Sequence, residues 1–178
     1  QVFQNAAPEL GISQTNWNGT YGAAVSTADW NNDGWPDLTL GSSNGTLRSW
    51  VNDQNGGFDL VTLPWQMASE VKAIVWIDLD NDGDDDLLIP PTYDFSRNTW
   101  SDYRIMKSSG TAYGAATRFA HINVGGAPQY HSVRVLDMTG DGRDDLLVCP
   151  PTEFANEFAG KWTIYQKLAG SGFNSITT

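Results

Sequence analysis

One acidic loop occurs three times in this chain, each time between two short apolar runs. The copies are Asp29-Trp30-Asn31-Asn32-Asp33-Gly34-Trp35-Pro36-Asp37, Asp78-Leu79-Asp80-Asn81-Asp82-Gly83-Asp84-Asp85-Asp86 and Asp137-Met138-Thr139-Gly140-Asp141-Gly142-Arg143-Asp144-Asp145. Each runs directly into leucine: Leu38, Leu87 and Leu146. The flanks are short and rich in β-branched residues, as in Ala73–Ile77 and Leu87–Ile89, and so read as buried strands. Each loop therefore closes a β-hairpin. A unit repeated at about 50 residues points to a propeller or solenoid.

The residue types within the loop specify a chemistry. Side-chain oxygens stand at loop positions 1, 3, 5 and 9, and glycine at position 6 permits a sharp turn that a Cβ would resist. Alternate oxygens on a tight loop suit Ca²⁺, a hard cation that takes oxygen ligands. Position 7 varies freely (Trp35, Asp84, Arg143), as expected where the ligand is a main-chain carbonyl. The candidate ligand sets are Asp29, Asn31, Asp33, Trp35 and Asp37; Asp78, Asp80, Asp82, Asp84 and Asp86; and Asp137, Thr139, Asp141, Arg143 and Asp145. About three Ca²⁺ are expected, one per loop. The loop is not an EF-hand, because position 12 is Leu40, Ile89 or Val148 where that motif needs glutamate. The competing reading of any single copy is a solvated Asp/Asn/Gly turn.

The chain parses into three units of four strands. The first has Gly22–Ala28, Leu38–Gly41, Thr46–Val51 and Phe58–Leu63. The second has Val71–Ile77, Leu87–Ile89, Tyr103–Lys107 and Arg118–Val124. The third has Ser132–Leu136, Leu146–Val148, Trp162–Lys167 and Phe173–Ile176. The expected fold is all-β, with three four-stranded antiparallel propeller blades. A lead-in over 1–20, with a possible outer strand at Val2–Asn5, precedes blades at 21–66, 67–128 and 129–178. Units two and three carry elaborations after their second strands, opening at Pro90-Pro91 and Pro150-Pro151, and read as loops. Unit one has only the turn Ser42–Gly45.

The 178 residues carry a formal charge of −11. Ten aspartates occupy positions 1, 3, 5 and 9 of the three loops, and three Ca²⁺ would bring −11 to −5. With only 10 Lys and Arg, a nucleic-acid partner is not expected. No apolar stretch approaches the roughly 20 residues of a membrane span, so membrane insertion is not expected. Cys149 is the single cysteine and reads as a buried thiol. Asn18-Gly19-Thr20 and Asn44-Gly45-Thr46 match the glycosylation sequon, though they read more ordinarily as plain turns.

The Asp-x-Asx-x-Asp-Gly-x-x-Asp-Leu loop between apolar strands resembles the FG-GAP/VCBS repeat family, over three repeats. That resemblance implies integrin α-like Ca²⁺-bearing propeller blades in a secreted or cell-surface protein. It also implies rings of six to eight blades, which three blades cannot close. Further blades are therefore expected as partners, from the same protein or from a second copy completing a six-bladed ring. Function then divides into two classes. One is a binding or adhesion module recognising protein or glycan through rim loops, with Trp17, Trp35, Tyr93 and Trp100 as loop aromatics. The other is part of a carbohydrate-active lyase or hydrolase, for which His121, His131, Glu153 and Glu157 are the titratable candidates. A structural segment of a larger toxin-like, Rhs-like or filament-forming surface protein is a further alternative.

Overall fold

The computed structural model describes residues 4–12, 24–67, 71–91, 93–94, 99–109, 113–119, 132–149, 163–170 and 172–177. Three four-stranded antiparallel sheets carry the chain. The first contains β1 (Ala24–Ala28), β2 (Asp37–Gly41), β3 (Thr46–Asn52) and β4 (Phe58–Gln66), in that order across the sheet. The second contains β5 (Val75–Ile77), β6 (Asp86–Ile89), β9 (Arg104–Met106) and β10 (Thr117–Arg118), again in chain order. The third contains β11 (Ser132–Leu136), β12 (Asp145–Cys149), β13 (Thr163–Lys167) and β14 (Phe173–Thr177). These are blade-like sheets that do not close a ring. No helix among the described residues is long and apolar enough to cross a membrane.

Every acidic loop joins the first strand of its sheet to the second, and the three hairpins share one register. Ala28 pairs with Asp37, Ile77 with Asp86 and Leu136 with Asp145. The last aspartate of each loop is thus the first residue of a strand, one residue earlier than the leucine boundary expected from sequence.

Other boundaries moved for identifiable reasons. A strand was expected from Val71, yet β5 begins at Val75. The Val71 N–H donates to the Ser42 carbonyl (3.0 Å) and its carbonyl accepts from Ala24 N–H (3.4 Å). Both main-chain groups are thus spent on the first sheet. β4 runs past Leu63 to Gln66 after a register shift between Thr46 and Arg48, and its place at the sheet edge accommodates Pro64. The elaboration after β6, expected as an irregular loop, contains a small hairpin of β7 (Tyr93–Asp94) and β8 (Thr99–Trp100). In the lead-in, Gln4–Ala6 form no strand, and Leu10 docks by its carbonyl on Phe58 N–H (3.0 Å). Residues 120–124 of the expected outer strand Arg118–Val124, the echo at Pro150-Pro151, Asn18, Trp17, His121, His131, Glu153 and Glu157 lie outside the described residues. At the other sequon, Asn44 accepts from Thr46 N–H (3.1 Å) within the β2–β3 turn.

Two apolar layers bind the sheets together. Between the first and second lie Ala24, Leu47, Leu63, Val71, Ile74, Trp76, Leu87, Ile89 and Met106. Between the second and third lie Ile77, Leu79, Leu88, Tyr103, Ile105, Phe119, Val133, Leu146, Val148 and Tyr165. The middle sheet is therefore apolar on both faces: Trp76, Leu87 and Met106 turn one way, Val75, Leu88 and Ile105 the other. Each fully buried Leu, Ile or Val contributes about 1.5–3 kcal/mol, so the junctions hold much of the chain's stability. Gly41 permits the close approach of the first two sheets, since a Cβ there would lie 2.5 Å from Val71 Cγ1.

Candidate metal centres

The three loops fold alike. The position-1 carboxylate reaches across its loop and accepts from the backbone N–H groups of positions 5 and 6. Asp29 accepts from Asp33 (3.0 Å) and Gly34 (2.8 Å), Asp78 from Asp82 and Gly83 (both 3.1 Å), and Asp137 from Asp141 (3.1 Å) and Gly142 (2.8 Å). Position 5 in turn accepts from the position-7 N–H: Asp33 from Trp35 (2.9 Å), Asp82 from Asp84 and Asp141 from Arg143 (both 3.0 Å). Glycine at position 6 has φ of 89°, 92° and 80° in turn. Position 4 is also left-handed, with Asn32 at 56°, Asn81 at 59° and Gly140 at 72°. Position 4 was not singled out in the sequence. Its signal is residue type, because Asn and Gly tolerate that conformation best.

The second loop brings three carboxylates together. Asp78, Asp80 and Asp82 each offer a carboxylate oxygen, and these lie within 4.8 Å of one another. Loops one and three place Asn31 and Thr139 where this loop has Asp80. Asp80 Oδ2 forms an ion pair with Lys107 Nζ (2.8 Å), while Asp80 Oδ1 is buried without a hydrogen-bond partner. The Lys107 hydrogen bond holds the Asp80 carboxyl below its usual range. In loop one, Asp33 Oδ2 accepts from Asn31 Nδ2 (3.1 Å) and Gln54 Nε2 (3.3 Å). In loop three, Arg143 Nη2 lies 2.5 Å from Asp141 Oδ2, and Thr139 Oγ1 donates to Asp137 Oδ1 (3.5 Å). Each loop thus has a donor on one of its carboxylate oxygens, a cation in loops two and three.

Position-7 side chains make different contacts. Trp35 is 47% exposed. Asp84 Oδ1 accepts from Asn32 Nδ2 of the first loop (2.5 Å), and Arg143 Nε donates to the Lys167 carbonyl (3.4 Å).

The position-9 aspartates are buried and brace the hairpins. Asp37 accepts from Asn52 N–H (2.9 Å), Asp86 from Leu79 (3.2 Å) and Ser108 (2.6 Å) N–H, and Asp145 from Met138 (3.0 Å) and Lys167 (2.8 Å) N–H. Each ties its own strand to the end of the third strand. Asp86 is not part of the tight Asp78, Asp80, Asp82 cluster. Asp37 Oδ2 is buried with no hydrogen-bond partner. Burial pushes the Asp37 and Asp86 carboxyls up to about 6.

Position 8 crosses between blades, a role the sequence analysis did not assign. Asp144 Oδ2 accepts from the N–H of Asp78, the first residue of the preceding loop (3.3 Å). Burial first, then the charges of Asp144, Asp78 and Asp29, raises the Asp85 carboxyl. Burial and the same kind of repulsion raise Asp144. The available signal was the Asp-Asp doublet at positions 8 and 9 of loops two and three, where loop one has Pro36-Asp37. Lys167 adds a second crossing. It is fully buried, and its Nζ donates to the Leu79 carbonyl of loop two and to the Gly170 carbonyl (2.6 Å).

These sites fit a hard divalent cation. Their donors are oxygens alone, and two buried carboxylate oxygens, Asp37 Oδ2 and Asp80 Oδ1, have no hydrogen-bond partner. The FG-GAP-like repeat family matches residues 29–89. The match runs from the first residue of loop one to the last residue of β6, so the matched segment includes two complete acidic loops and most of the junction between the first two sheets. No curated protein matches the chain.

Proposed function

We propose that this chain is a calcium-stabilised, propeller-type recognition module that works outside the cell. The observation that carries the metal assignment is the convergence of Asp78, Asp80 and Asp82, with Asp80 Oδ1 buried and unpartnered. Ca²⁺ would be held by Asp29, Asn31, Asp33 and Asp37 with the Trp35 carbonyl. The second site would use Asp78, Asp80, Asp82 and Asp86 with the Asp84 carbonyl. The third would use Asp137, Thr139, Asp141 and Asp145 with the Arg143 carbonyl. Bound there, the ion neutralises clustered carboxylates and rigidifies the hairpin. Millimolar extracellular Ca²⁺ suits loops of modest affinity.

Recognition falls to the rim that carries these loops. Trp35 and Met138 are exposed on loops one and three, 47% and 44% respectively, and supply apolar contact area for a glycan or protein ligand. The test is a tryptophan-fluorescence titration with a panel of neutral and acidic oligosaccharides, in Ca²⁺ and again in EDTA. Saturable binding in Ca²⁺ that Trp35→Ala weakens at least tenfold supports glycan recognition at this rim. Binding unaffected by Trp35→Ala, or no binding to any member of the panel, removes it.

A further inference from the structure

Lys107 follows the third strand of the second sheet, and its ammonium lies 2.8 Å from Asp80 Oδ2. The Asp80 hydrogen bond first, then the charges of Asp80, Asp86 and Asp82, raise the Lys107 pKa, so the ammonium stays charged wherever the loop carboxylates are ionised. One fixed positive charge thus acts on Asp80, Asp82 and Asp86 together. In the first sheet, the side chain that reaches the metal loop from just after the third strand is Gln54, which donates to Asp33 Oδ2 (3.3 Å) and carries no charge. The two loops differ in the matching way, because position 3 is Asp80 in loop two and Asn31 in loop one. The extra carboxylate of loop two and the lysine that offsets it come as a pair.

The pair is open to exchange. The Lys107 and Asp80 side chains are 48% and 32% exposed, so a cation can reach Asp80 while the flexible lysine stem swings its head into water. The Lys107 backbone stays in place, since Met106 before it is buried and the Ser108 N–H after it donates to Asp86 Oδ1 (2.6 Å). The ammonium is therefore tethered within a Debye length of the site, about 10 Å at 0.1 M salt.

We propose that Lys107 sets the metal affinity of the second loop: its ammonium shares Asp80 with the incoming cation and holds calcium binding there below what the loop carboxylates would otherwise give. This rests on the reading of the loops as calcium sites.

Calorimetric titration of the metal-free chain with Ca²⁺, at low and high KCl, tests it with Lys107→Met and Lys107→Arg. Methionine keeps most of the stem without the charge, and arginine keeps the charge. Cooperative thermal unfolding checks that each variant folds. Lys107→Met is expected to tighten one site, the one that Asp80→Asn weakens, by about fivefold at low salt. That gain should shrink toward about 1 M KCl, where the ammonium is screened. Lys107→Arg is expected to bind as the wild type does. A Met variant that binds no tighter, an Arg variant that tightens as much as the Met variant, or a gain indifferent to salt each overturns the proposal. Calcium uptake by the wild type with no gain in Lys107→Met removes this inference alone, whereas no uptake by the wild type removes the calcium reading with it.

Discussion

Asp144 in the third loop accepts a hydrogen bond from the backbone N–H of Asp78, which opens the second loop, at 3.3 Å. The contact places two carboxylates from adjacent loops side by side, and repulsion from Asp78 helps raise the Asp144 carboxyl. Truncation and neutralisation should therefore differ. Asp144→Ala deletes the acceptor and should cost about 1 kcal/mol. Asp144→Asn keeps an acceptor and removes the repulsion, so in EDTA at neutral pH it should be as stable as wild type or more so. Urea unfolding of both variants distinguishes these outcomes.

Lys167 is the deepest link between the second and third sheets. Its Nζ donates to Leu79 and Gly170 carbonyls and lies 5.5 Å from the centre of the Phe173 ring. Burial lowers its pKa. Lys167→Met preserves most of the stem but leaves two carbonyls without this donor, so a loss of about 1–3 kcal/mol is expected. Denaturant unfolding measures it, and hydrogen exchange should show the greatest loss of protection between β5 and β13.

Gly41→Ala should strike the junction between the first two sheets. The added Cβ would meet Val71 Cγ1 at 2.5 Å and the Val71 carbonyl at 3.1 Å, and Val71 is fully buried. Overpacking of this kind costs about 1–3 kcal/mol. Thermal unfolding should register the loss. Gly83→Ala is a useful contrast, because its φ of 92° penalises alanine although no atom lies within 4 Å of the added Cβ.

The metal-free chain should lose stability as pH rises from about 4 to above 6. Asp37 and Asp86 titrate near 6 when folded against 3.8 when unfolded, so the folded state holds the extra protons. Their contribution is full below pH 4 and is lost as pH climbs through 6. Asp85 and Asp144 shift in the same direction. Asp53, Asp80 and Asp137 shift downward, so what they contribute is lost only below about 3.8 and stays constant across this window. Calcium needs the ionised carboxylates, so the gain in Tm on adding Ca²⁺ should widen over the same range. Calorimetry at several pH values, with and without Ca²⁺, checks both trends.

The blades were legible in the sequence because their strands follow local rules. Short apolar runs such as Leu87–Ile89, bounded by Asp86 and Pro90, read as buried strands. The loops were legible because side-chain oxygens alternate around a glycine, and the left-handed φ at Gly34, Gly83 and Gly142 follows from that pattern. What remained hidden depends on contacts far apart in the chain. The sequence around Lys167 does not reveal that its ammonium reaches Leu79, nor does the sequence around Val71 reveal that its backbone is taken by Ser42 and Ala24. The position-9 aspartates were read as ligands from spacing alone. Their second task, receiving N–H groups from the end of the third strand, required the register of three strands.

The most direct test of the account is calorimetric titration of the metal-free chain with Ca²⁺, combined with a melting curve at each end of the titration. The account predicts about three Ca²⁺ per chain. At a free concentration 100 times the dissociation constant, each site would add about 2.7 kcal/mol. Asp80→Asn should lower the stoichiometry or affinity at one site and reduce the rise in Tm. A chain that takes up no Ca²⁺, or whose Tm is unmoved by it, would contradict the reading of these loops as metal centres.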